Sequence, residues 1–200
     1  GAFCVEIIQH QTVFTKAGTM IASIPRSLLS KKVGTIGVDI ERLDIVIKFS
    51  NYKKILEDRV IALQRGHLQD PREVNGKVIH DGRELKAKIR LKGDLGDHWL
   101  GSTRHSLRIS LKDGQTVNGM NRFSIHKPRA RQYPYEHAFQ GSLRDKGNLS
   151  ASHDFTLVRV NGEDWGMMNI EENISKEFLE KKGVKDSLVF RFSDDKRWLQ

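Results

Sequence analysis

Apolar and polar residues alternate in short runs along most of this chain, and turn residues join the runs. In "RLDIVIKF" (42–49), Leu43, Ile45, Ile47 and Phe49 fall on one side, which predicts a half-buried strand. "NYKKILEDRVIALQRG" then changes period. Tyr52, Ile55, Leu56, Val60 and Leu63 recur at helical spacing, with Ser50 as the N-cap and Gly66 as the stop. Pro71 and Asn75-Gly76 mark a loop. "KVIHDGRELKAKIRLKG" predicts a hairpin turning at Asp81-Gly82. "HSLRISLKDG" and "NRFSIH" read as further strands, and "PYEHAFQGSLRDKG" reads as a helix opened by Pro134 and ended by Gly147. "HDFTLVRVNGEDWGMMNIEEN" predicts a second hairpin at Asn161-Gly162. A short helix closed by Gly183 and a last strand, "DSLVFRF", follow.

This order has consecutive hairpins and no regular strand-helix alternation. It predicts an α+β fold, an antiparallel sheet with a few helices packed on one face, and excludes a doubly wound parallel sheet. Residues 1–41 mix short apolar runs with Pro25, Gly34 and Gly37 and read as an irregular lead-in. Residues 42–200 form the domain proper.

Composition adds little until charge is considered. The chain has 200 residues, 38% of them hydrophobic, enough for one core. No apolar run approaches the roughly 18–20 residues of a membrane span. The chain begins at Gly1 without Met and reads as a piece of something longer. Its one cysteine, Cys4, excludes an intramolecular disulfide and a cysteine metal cluster. The compartment stays open. The net charge of +9 points to an anionic partner.

The alternation places the cations. Lys86, Lys88, Arg90 and Lys92 lie on one face of their strand, and Arg108 and Lys112 extend that face if the two strands are near neighbours. Phosphates would neutralise such a surface, with Lys as a point charge and Arg as a fork; the plain alternative is a solvated sheet face. "KGDLGDHW" (92–99) follows directly. Its glycines allow close backbone approach to phosphate, and Asp94, Asp97 and His98 are potential metal ligands; the plain alternative is a polar turn. Its glycine spacing matches neither the P-loop nor the dinucleotide fingerprint. Glu171-Glu172 ends a strand, so only one of the two faces any given site. A carboxylate there can orient a lysine, as the Lys–Glu pair of protein kinases does. Nucleophilic catalysis lacks its elbow context, the eight histidines show no ligand spacing, and the aromatics do not interleave with the basic face as RNA stacking requires.

"KAKIRLKGD", "HSLRISLKDG", "GMNRFSIHKPRARQYPYEHAF" and "DFTLVRVNGEDWGMMNIEENISKEFLEKKG", in that order, resemble the spore coat protein H (CotH) kinase-like family across roughly residues 43 to 195. The Asn161-Gly162, Gly166 and Glu171-Glu172 stretch is its most specific part. The resemblance implies an atypical protein kinase, in a fold like a kinase N-lobe, that uses ATP and Mg to phosphorylate protein Ser. It implies that Lys88, Arg90, Lys92 and Arg108 face nucleotide phosphate and that Glu171 or Glu172 pairs with a lysine. The family's catalytic aspartates have no match here: "FSDDKRW" has Asp194-Asp195 and Trp198 in the wrong order. The chain therefore reads as the front portion of such a protein. A non-catalytic assembly domain is the first rival, and a basic nucleic-acid module is disfavoured by the aromatic spacing.

Overall fold

The computed structural model describes residues 40–101, 103–184 and 188–190. The lead-in up to residue 39 and the Asp194-Asp195 segment lie outside them. Of the strand expected over 186–192, residues 188–190 are described and are not in a strand.

Among the described residues, seven strands build the domain: β1 (Arg42–Val46), β2 (Val74–His80), β3 (Arg83–Leu91), β4 (Leu107–Leu111), β5 (Arg122–His126), β6 (His153–Val160) and β7 (Glu163–Glu172). They close into a barrel in the order β1-β2-β3-β4-β5-β7-β6. This corrects the expectation of an α+β sheet with helices on one face. The hairpins are where the alternation predicted them. The closure comes from β1, which pairs antiparallel with β2 and parallel with β6, Leu43 opposite Val158 and Ile45 opposite Val160. A parallel pairing across so long a stretch leaves no local mark, whereas a hairpin announces itself by its turn.

Both predicted hairpins use two residues at positive φ, Asp81 and Gly82 (49° and 69°) and Asn161 and Gly162 (50° and 87°). That backbone matches the twist of the flanking strands. Leu43, Ile45, Val78, Leu85, Ala87, Ile89, Leu91, Ile109, Phe123, Ile125, Met168 and Ile170 are all buried in one contiguous core. Lys77 and Lys86, on the other face, are exposed. The apolar face is therefore the barrel interior.

Helix α1 (Phe49–Arg65) starts one residue before the expected Ser50 cap, with Lys48 at the N-cap and no side-chain cap bond. Gly66 ends it in the left-handed conformation, as expected. It buries Ile55, Asp58 and Ala62, while Val60 and Leu63 of the predicted stripe are exposed. Asp58 accepts from the backbone N and the Nε of Arg72, at 2.8 and 2.7 Å, and so ties the helix to the chain entering β2. Helix α1 packs on β2 and β3, and helix α2 (Tyr135–Asp145) on β6, so the two do not share a face. Helix α3 (Lys176–Lys181) is capped by Ser175, whose Oγ accepts from Phe178 N.

Candidate functional site

The strand register builds a polar row on the outside of the barrel. Arg90 on β3 stands opposite Arg108 on β4, Arg108 opposite Ser124 on β5, Ser124 opposite Glu171 on β7, and Glu171 opposite His153 on β6. Because directly opposed residues share a face, five strands contribute to one surface. One step along, Lys92 N donates to Ser106 O (2.9 Å), and His126 stands opposite Asn169.

Glu171 joins the two rows. Its Oε2 lies 3.5 Å from Lys92 Nζ and 2.6 Å from His126 Nε2. Ser124 and His126 are fully buried, and Lys92 and Glu171 are largely so. His98 covers this corner. Its Nδ1 is 2.9 Å from Ser106 Oγ, and its ring meets that of His126 edge-on at 5.7 Å. A lysine held by a half-buried carboxylate that an imidazole holds in turn is an oriented cation, set in direction before any ligand arrives.

The other predicted site residues divide. Arg90 and Arg108 are neighbours of this pair on the same face. Lys88 lies one step away along β3, opposite Asn75 and Ser110. Glu172 points to the opposite side. It is buried, accepts from Ser152 N at 3.3 Å and pairs with Lys181 of α3 at 3.3 Å. Sequence reasoning passed over Ser106 and His126, and took His98 as a metal ligand of its loop, where the structure sets it against Ser106 and His126. Their spacing carries no signal, because it is the register of β4 and β5 that brings them to Glu171.

The loop after Lys92 is a built turn. Trp99, buried, donates from Nε1 to Gly93 O at 3.0 Å, and Leu68 N donates to Asp94 O at 3.1 Å. Gly93 has φ +99°, and a Cβ there would sit 2.1 Å from His98 Cγ. Arg59 Nε donates to Trp99 O at 2.8 Å, and Lys127 Nζ to Leu100 O at 2.7 Å. Burial pulls the Lys127 amine below the usual lysine range. Asp97 opposes that shift, and Arg104, Arg59 and Arg129 add to it. Asp94 and Asp97 are exposed, and His98 is spent on Ser106. The expected ligands of this loop do not gather: among the described residues, three metal-binding groups come together only at Glu41, His80 and Asp81.

What the geometry defines is a small closed mixed barrel with an oriented lysine on a cationic outer face. No protein-family model matches the chain, and no curated protein matches it in sequence.

Proposed function

We propose that this outer face binds the phosphates of ATP and that the chain is the nucleotide-binding portion of a CotH-like kinase acting on protein Ser. One observation carries the reading: Lys92 Nζ stands 3.5 Å from Glu171 Oε2, and Glu171 shares its row with Arg90 and Arg108. A carboxylate that aims a lysine is the device kinases use to hold the ATP phosphates. The three cations suit a polyphosphate in charge and in donor geometry. For Mg the fit is poorer. Among the described residues no group of three ligands stands at this face, so the ion comes with the nucleotide and no step is assigned to it.

That same observation favours a second reading, a non-catalytic CotH-like assembly domain that holds a nucleotide without turning it over. Calorimetry with Mg-ATP on the 200-residue chain tests the shared claim. Lys92→Ala should weaken binding by about 1.5–3 kcal/mol, the range for a hydrogen bond to a charged group, or roughly tenfold and more in Kd. Equal affinities for wild type and variant would return the face to a solvated, structural role. Transfer of γ-phosphate to protein Ser by a longer chain that carries the catalytic aspartates would separate the kinase from its non-catalytic rival.

A further inference from the structure

We propose that His80 and Asp81, backed by Glu41, form a divalent-metal site at the barrel rim, where β1 begins and the β2–β3 hairpin turns. The imidazole of His80 and the two carboxylates each offer a donor atom, and the three lie within 4.8 Å of one another. The site is independent of the nucleotide reading, since the whole nine-residue length of β3 separates Asp81 from Lys92.

Glu41 is the most tightly placed of the three. Its carbonyl accepts from Leu157 N and from Thr156 Oγ1, both at 2.9 Å, and its Oε2 accepts from Asn118 Nδ2 at 2.5 Å. Its Oε1 meets His80 Nε2. A carboxylate at Nε2 keeps the ring proton there and leaves the lone pair on Nδ1. That atom is buried and has no hydrogen-bond partner, and His80 as a whole is 3% exposed. A buried polar atom without a partner costs about 1–3 kcal/mol and calls for a physical reason.

Asp81 supplies one. Its Oδ2 lies 3.7 Å from Nδ1, too far for a hydrogen bond. Two ligands with bonds of about 2.0–2.2 Å span about 3.4 Å across a tetrahedral ion. The separation therefore suits a cation between Nδ1 and Oδ2, with Glu41 on the far nitrogen. This is the carboxylate–imidazole–metal order that fixes tautomer and ring direction at known sites. The Asp81 side chain is 69% exposed, so water completes the coordination. One imidazole nitrogen and one carboxylate select a borderline ion such as Zn²⁺ over Mg²⁺ or Ca²⁺, which prefer oxygen throughout.

The test uses the full chain, stripped with chelator and titrated with Zn²⁺ by calorimetry and with Co²⁺ by visible absorption. Wild type should bind one ion, show a cobalt ligand-field band, and gain thermal stability with Zn²⁺. Removing His80 from the barrel interior risks the fold, so the deciding variant is Asp81→Asn. Asn tolerates the φ of +49° at that turn. It should lose at least about tenfold in affinity, and Glu41→Gln should lose about 10–100-fold through the ring it positions. Equal affinity in wild type and Asp81→Asn would overturn the proposal. So would the absence of any zinc-dependent stabilisation in wild type.

Discussion

His105 lies against Trp165, ring centroids 5.9 Å apart, and its buried Nδ1 has no hydrogen-bond partner. Burial first, then the charges of Arg59 and Lys127, pull its pKa from 6.5 down to about 4. The folded value is depressed, so between these limits the unfolded chain takes up a proton that the folded chain refuses. The stability contributed by neutral His105 is whole above about pH 6.5 and drains as pH falls toward 4, by on the order of 3 kcal/mol. Urea denaturation at pH 4.5 and pH 7 should show a smaller difference in His105→Leu than in wild type; the same difference in both would remove His105 as the cause. Sequence reading reached the cations and stopped short of this histidine. Alternation along one strand puts Lys88, Arg90 and Lys92 on one face. The pairing of Lys92 with Glu171 depends on how β4 and β5 register between them, and no local pattern encodes that.

The β6–β7 hairpin was legible because Asn161-Gly162 is a local device. The structure gives the turn a second task. Asn161 N donates to Ile45 O at 2.8 Å, and Asn161 Oδ1 accepts from Ile47 N at 2.7 Å. The turn thus fastens the end of β1 as well as joining its own strands. Gly162 sits at φ +87° in open space, so any penalty there is backbone strain and not collision. Gly162→Val should cost about 2 kcal/mol or more, because a β-branched residue resists that conformation. Thermal unfolding of the variant checks this, and an unchanged Tm refutes it. The periodicity of α1 was legible too, but not which stripe it would bury. Apolar residues at 55, 56, 60, 61, 62 and 63 wrap around much of the helix, and the barrel chose the side that holds Ile55 and Ala62.

Closure is the property of the whole molecule that sequence patterning missed. Among the described residues, with β1 seated between β2 and β6, the seven strands leave no free backbone edge around the barrel. Asp44 stands opposite Ile79 on one side and Arg159 on the other. Asp44→Pro removes a ladder donor from a strand paired on both sides and should cost about 3 kcal/mol or more. Hydrogen exchange should then show β2 and β6 losing protection together, with Asp44→Ala as a mild control. Loss confined to β1 would mean that the ring is not one cooperative unit.

The β1–β6 pairing also sets a timetable for synthesis. About 110 residues separate Val46 from Val160. At 5–20 residues per second, a ribosome needs on the order of 6–20 s to deliver β6 after β1 has emerged. For that interval Leu43 and Ile45 belong to a strand with one open side, next to β2 and β3, which can already pair. Chains stalled before His153 should be cut by protease within β1, and chains stalled well beyond Glu172 should resist. The nascent domain therefore has a window in which a holding chaperone has something to bind, and that window shuts when the seventh strand arrives.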